Sequence, residues 1–115
     1  MVNNEKNIEK VEVNHPDVKN TFMKALIGPN EGWEDHVFRT FEVLENGYSP
    51  KHIHDWPHIN YVLEGNGVLF LNGKENEISK GSIAYVPSNE LHQFKNTGKE
   101  PLKFICIVPK RGHTF

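Results

Sequence analysis

Four histidines at short spacings, His52, His54, His58 and His92, carry the most specific chemistry in this chain. Imidazole nitrogens suit borderline divalent transition ions such as Mn, Fe, Co, Ni, Cu or Zn, whereas Ca and Mg want oxygen. In an extended segment alternate residues face one side, so His52 and His54 make a chelating pair with Ile53 turned away. Asp55-Trp56-Pro57 follows. A proline cannot donate to a ladder and favours a bend, after which His58 can reach the same ion. His92 lies far along the chain, beyond a Gly and Pro turn signal, and joins the others only if an antiparallel sheet folds back on itself.

Such a site has definite preferences. Four neutral imidazoles leave a divalent ion its full charge, which favours enolates, carboxylates or peroxide anions, and they supply no carboxylate to act as a base. In a six-coordinate ion two positions would stay open for water, substrate or oxidant, as a catalytic metal requires. Affinity alone favours Cu, Ni or Zn, so the ligand set does not choose the ion.

The elements that must position these residues read as strands. Thr21 to Ile27 stops at Gly28-Pro29-Asn30-Glu31-Gly32, His36 to Leu44 closes at Glu45-Asn46-Gly47, and pairing the two gives a hairpin. His58 to Leu63 ends at Glu64-Gly65-Asn66-Gly67, Val68 to Leu71 turns at Asn72-Gly73, and Ile78 precedes a Lys80-Gly81 turn. An Asn-Gly pair is a strong hairpin signal because both turn residues must tolerate positive φ. Ser82 to Val86, Leu91 to Lys95 and Leu102 to Val108 complete the series. Short strands at spacings near ten residues, with no sustained helical period, predict an all-β sandwich or jelly-roll barrel. One stretch, Pro16 to Met23, could instead be helical.

At 115 residues the chain fits one domain with a single core. Residues 1–20 are polar and carry His15-Pro16, so they read as a loose N-terminal arm with a short strand around Glu9 to Val13, leaving 21–115 as one barrel domain. A net charge of −2 argues against nucleic acid as a partner. No apolar run reaches the roughly 20 residues of a membrane span, and the first residues lack the apolar stretch of a secretory signal, so a cytoplasmic location is the default expectation. The single cysteine, Cys106, cannot form an internal disulfide, which agrees with a reducing compartment.

The two histidine segments resemble the two motifs of the cupin superfamily. Motif one is a glycine, then His-x-His, three or four residues, a glutamate, six residues and a glycine. Gly47, His52, His54, His58 and Gly65 fill it, with His58 in the glutamate's place and four rather than five residues after Gly47. Motif two is matched by Gly81, Pro87, His92 and Asn96, with Asn89 where glycine is usual. The resemblance is strongest to small single-domain four-histidine manganese cupins, and it includes the Arg39 strand and the Phe104-Ile-Cys-Ile-Val-Pro-Lys110 segment. It implies a double-stranded β-helix, or jelly-roll, cupin barrel. It also implies one divalent metal per chain, manganese first and then Fe, Zn, Ni, Cu or Co. A homodimer in which the N-terminal arm is exchanged or packed across the interface is implied too.

Strand alternation adds candidates around the metal: Arg39 with Phe41, Asn60 with His58, and Phe104 with Cys106. Arg39 is either a structural strand residue or a bidentate clamp for an anionic small molecule. Asn60 either satisfies a backbone group or faces the pocket, and Cys106 is either a small buried hydrophobe or a pocket wall exposed to oxidation. Trp56 could cover the mouth, pack in the core or sit at a dimer contact. His15, His36 and His113 read as surface residues. The function expected is an oxygen- or peroxide-dependent, dioxygenase-like oxidoreductase for a small chelating substrate. The alternatives are a non-catalytic metal-dependent binding module and a cupin-type isomerase or lyase, and the fold does not decide among them.

Overall fold

The computed structural model describes residues 1–113. Nine strands run through the described residues: β1 (Val11–Glu12), β2 (Lys19–Ile27), β3 (His36–Tyr48), β4 (His58–Glu64), β5 (Asn66–Leu71), β6 (Lys74–Ser79), β7 (Ile83–Val86), β8 (His92–Asn96) and β9 (Leu102–Pro109). The helical content among them is three short 3₁₀ turns, at Glu5–Asn7, Pro29–Glu31 and Lys110–Gly112. All strand pairings are antiparallel, in the order β6-β5-β8-β3-β9-β4-β7, with β2 added to β3 and β1 to β2. The sheet curls over its own core as a jelly-roll barrel.

β3 turns the corner between the two layers. Its first part, His36 to Val43, pairs with β9 and most of it with β2, whereas Tyr48 pairs with Lys95 of β8. The expected turn at Glu45-Asn46-Gly47 is therefore corrected: the strand runs through it as a bulge, with the register jumping from Thr21↔Val43 to Lys19↔Tyr48. Asn46 takes a positive φ of 64°, a conformation asparagine tolerates better than most residues. A Cβ on Gly47 would stand 2.7 Å from the Lys19 carbonyl oxygen, so the crossing requires glycine.

Alternation decides what faces inward. Along β9, Leu102, Phe104, Cys106 and Val108 are buried while their neighbours are half-exposed. Val37, Phe41 and Val43 of β3, Val62 of β4, Leu69 of β5 and Phe94 of β8 join them in one apolar cluster. Phe104 stacks on Phe94 and on Phe41, with ring centroids 4.2 Å and 5.5 Å apart. Burial of each such large side chain contributes roughly 1.5–3 kcal/mol.

Two other expectations change. The Pro16 to Met23 stretch is not helical. Val18 packs on the core and Thr21 and Met23 point into it at two-residue spacing, which suits a strand. Lys74–Ser79 is a strand that the sequence reading passed over, because charged residues fill it and Ile78 is its one buried position. The N-terminal arm packs on its own barrel: Val13 is buried, Val11 pairs with Met23, Lys10 with Glu42, and Lys103 with Glu5. No helix among the described residues is long and apolar enough to cross a membrane.

Candidate metal centre

His52 and His54 lie in an extended loop between β3 and β4 rather than in a regular strand. A single antiparallel bridge holds the loop, with His52 N–H donating to the His92 carbonyl at 3.2 Å and His92 N–H to the His52 carbonyl at 3.1 Å. Strand-like alternation survives there, for Ile53 is 59% exposed while the imidazoles on either side are partly buried. His58 opens β4 and His92 opens β8, both buried. The two segments are tied once more where Asn89 N–H donates to the His54 carbonyl at 2.7 Å. Asn89 sits at a φ of 67°, which explains why this position can carry asparagine in place of glycine.

The four imidazoles meet. Ring centroids lie 4.7 Å apart for His52 and His92, 4.7 Å for His54 and His92, 5.0 Å for His58 and His92, and 5.5 Å for His54 and His58. One nitrogen from each of His52, His54 and His92 falls within 4.8 Å of the others, a group that could hold a metal ion. His58 approaches through His92, with their Nε2 atoms 3.3 Å apart.

Hydrogen bonds behind the rings decide which nitrogen faces the centre. His54 Nδ1 donates to the Trp56 carbonyl at 2.8 Å and His92 Nδ1 to the Glu90 carbonyl at 2.9 Å; a carbonyl can only accept, so Nδ1 carries the proton in both. His58 Nδ1 donates to Asn60 Oδ1 at 2.6 Å, and the Asn60 amide is oriented by its Nδ2 donating to the Ile105 carbonyl at 3.2 Å. All three Nε2 atoms therefore present bare lone pairs inward. The His58 and His92 Nε2 atoms have no proton to share, so their closeness is repulsive unless a cation lies near both. Metal–imidazole bonds of about 2.0–2.1 Å place neighbouring ligand atoms roughly 3–3.5 Å apart, which fits this pair. Outer partners of this kind fix tautomer and ring orientation at metal sites.

The electrostatics agree. Burial holds His52 down to about 3, with the neighbouring imidazoles adding to the effect, and burial holds His58 and His92 near 4 against the raising effect of their hydrogen bonds. His54 is also lowered, first by burial. All four are neutral at pH 7 and ready to ligate without displacing a proton.

The cavity encloses about 260 Å³, below the roughly 300–1,000 Å³ of pockets for drug-sized ligands. Phe41, Phe94, Phe104 and Trp56 supply apolar wall, and Arg39 and Cys106 close one side. Arg39 is buried, lies 5.0 Å over the Phe41 ring, and donates from Nη2 to Cys106 Sγ at 3.2 Å. Burial raises the Cys106 thiol pKa, so the sulfur is a neutral wall. Asn60 is buried and stands behind His58; it does not line the cavity.

Trp56 was a candidate for the mouth, but its contacts, and the parts played by Gly112, Arg111 and His15, were not legible in the sequence. Trp56 lies flat on His54, 4.4 Å between centroids with planes 5° apart, and Gly112 packs on its other side so closely that a Cβ would fall 2.5 Å from the indole. Arg111 ties this tail to the loop by donating to the Asp55 carbonyl. His15 reaches the cavity wall from the N-terminal arm, and its Nδ1 accepts the Asp17 N–H at 3.0 Å, which leaves its proton on Nε2. His113 is half-buried with its pKa lowered by burial, whereas His36 stacks on Trp33 away from the cavity. No local spacing announced these meetings, since each depends on the return of a distant segment.

Residues 39–108 match the Cupin domain family. The chain belongs to the cupin family. In fold this cupin is similar to the 1.2 Å structure of the polyketide cyclase RemF from Streptomyces resistomycificus, with a TM-score of 0.89 and 31% identity over 95% of this chain and 78% of that one. In sequence it is similar to an oxalate-binding protein of Thermotoga maritima, 38% identical over 44% of this chain and 41% of that protein. It is also similar to a glucose-6-phosphate isomerase of Thermococcus gammatolerans, 36% identical over 53% of this chain and 35% of that protein. The chain spans less than half the length of the curated relatives it matches here.

Proposed function

We propose that this cupin holds one divalent transition metal through His52, His54, His58 and His92, and acts as an oxygen- or peroxide-dependent oxidoreductase on a small, planar, metal-chelating anion. The observation that carries the reading is the set of inward lone pairs, three of them fixed by Nδ1 hydrogen bonds, in a cavity whose lining includes no carboxylate among the described residues. Manganese is the ion favoured by the resemblance to four-histidine cupins, followed by Fe, Zn, Ni, Cu or Co. Bound there, the ion supplies Lewis-acid polarisation of an enolate or carboxylate and, for Mn or Fe, electron transfer to an oxidant.

The chain's own residues do the rest. Arg39 gives the wall a positive charge that selects an anion, and the Phe41, Phe94 and Phe104 rings offer flat apolar surface to a conjugated body. Asn60 and the Trp56 and Glu90 carbonyls hold the ligand rings in one tautomer. With no carboxylate among the described residues of the wall, and with His15 Nε2 already carrying its proton, a proton leaving the substrate would pass to water or hydroxide rather than to a side chain.

A second reading is favoured by the similarity to a polyketide cyclase: ring closure, or a related isomerase or lyase step, on an enolisable substrate without oxidant. An oxygen electrode separates the two. The oxidoreductase reading expects oxygen uptake by the Mn- or Fe-loaded protein on a diketone, flavonol or carboxylate panel, abolished in His58→Ala. Product formed under nitrogen would move the assignment to the second reading. Tight binding with no turnover would leave a metal-dependent binding module.

A further inference from the structure

We propose that Trp56 and Gly112 are positioning residues for the metal ligand His54, so that the segment following β9 sets how tightly the site holds its ion. The proposal deepens the four-histidine reading above and rests on it. His58 and His92 are the first residues of regular strands, and His52 is fixed by its backbone bridge to His92. His54 has no such element. Its carbonyl is tied to Asn89, but its imidazole leads into an irregular link, Asp55-Trp56-Pro57, and must be aimed by whatever touches the ring.

Trp56 touches it twice. The Trp56 carbonyl accepts from His54 Nδ1 at 2.8 Å, and the indole lies flat on the imidazole, 4.4 Å between centroids and 5° between planes. The χ2 torsion of a histidine is broad and soft. A hydrogen bond in the ring plane fixes the tautomer and still lets the ring swing, whereas a parallel aromatic face removes that freedom.

The indole needs backing of its own, and Gly112 supplies it. A Cβ at this position would stand 2.5 Å from Cδ1 and Nε1 of Trp56 and 2.9 Å from Cε2. Gly32, Gly65, Gly73 and Gly81 take a positive φ and Gly112 does not, so the backbone conformation does not ask for glycine here; the indole does. The atoms that a methyl would strike belong to a rigid ring, and shifting them shifts the plane on which His54 lies. The segment is anchored on both sides of that contact. Lys110 N–H donates to the Asp35 carbonyl at 2.9 Å, and Arg111 Nη2 donates to the carbonyl of Asp55, next to Trp56, at 3.1 Å. Imidazole, indole and glycine therefore form one stack that leads from the metal centre to a segment far along the chain.

A stack that served packing alone would govern stability and leave the ion untouched, and that difference gives the test. Co²⁺ is the probe, because its visible ligand-field absorption reports the geometry of its ligands, and its affinity for the full chain is read by competition with a chelator. Gly112→Ala should bind Co²⁺ about tenfold to a hundredfold more weakly, with an altered ligand-field spectrum at saturation. The double variant Gly112→Ala, Trp56→Phe, whose smaller ring makes room for the methyl and still offers a face to His54, should recover most of the affinity, a non-additive rescue. Gly98→Ala, whose Cβ would meet nothing nearer than 3.7 Å, should match the wild type. If circular dichroism shows Gly112→Ala unfolded, Trp56→Ala against Trp56→Phe carries the test, with the weakening expected in the first and largely absent from the second. A folded Gly112→Ala or Trp56→Ala with wild-type affinity and spectrum overturns the proposal, as does a weakened Gly112→Ala that the double variant does not rescue; in both cases Co²⁺ binding by the wild type leaves the four-histidine reading standing. A wild type that binds no Co²⁺ overturns that reading, and the proposal with it.

Discussion

The barrel interior has a sealed end and an open end, built by the same strands, and only their chemistry differs. Toward the sealed end Val43, Val62, Leu69, Ile78 and Leu102 are buried, and the buried Asn96 beside them is spent on backbone, its Nδ2 donating to the Val43 and Glu100 carbonyls. Toward the open end the same inward positions of β3, β4, β8 and β9 carry Arg39, His58, Asn60, His92 and Cys106. Phe41, Phe94 and Phe104 stack between the two. A leucine at any of these polar positions would stabilise the chain through apolar burial alone. The open end has given that up for lone pairs and a guanidinium, each of which must be held by further hydrogen bonds. One end keeps the barrel folded while the other is free to be chemically specific.

Mutations at each end should separate these roles. The largest loss of stability belongs to the sealed end: Leu102→Ala leaves a cavity and should cost about 2–5 kcal/mol, read from urea unfolding. Metal content per folded chain should be unchanged, and a parallel loss of metal would break the distinction. A smaller, opposite signature belongs to Asn60→Ala, which removes the acceptor for His58 Nδ1. Metal affinity should fall about tenfold to a hundredfold, measured by competition with a chelator. Asn60→Asp keeps the acceptor and should recover part of it, which a purely structural role would not predict.

A third effect is on acid stability. Burial holds His52, His58 and His92 at about 3 to 4 in the folded chain, below the 6.5 of an unfolded imidazole. As pH falls the unfolded chain therefore takes up protons first. Stability from these groups is intact above about pH 6.5 and declines as pH drops toward about 4. The urea midpoint of the chelator-treated chain should be lower at about pH 5 than at about pH 7.5. Replacing His52 with leucine should flatten the difference, and an unchanged slope would count against buried, neutral imidazoles.

Much of this was legible from Gly47 to Asn96. Glycines, prolines and Asn-Gly pairs mark strand ends locally, and His52, His54 and His58 advertise themselves by close spacing. Strand β6 was hidden because its residues are charged, with Ile78 alone facing in. The bulge in β3 was hidden because Glu45-Asn46-Gly47 has the composition of a turn, and only the pairing of Lys19 with Tyr48 shows that the strand continues. Around the cavity, Trp56 on His54, Gly112 on Trp56 and His15 at the wall are contacts between segments that no short-range period relates. Asn60 could be paired with His58 from alternation, but its work behind the ring depends on the Ile105 carbonyl of a distant strand.

The central claim is that four histidines act on one ion, and elemental analysis of protein purified without added metal or chelator tests it most directly. The account predicts about one Mn or Fe per chain in the wild type and a marked loss in a folded His58→Ala prepared identically. No metal in the wild type, even after reconstitution with Mn or Fe, would contradict it, as would full metal content in His58→Ala.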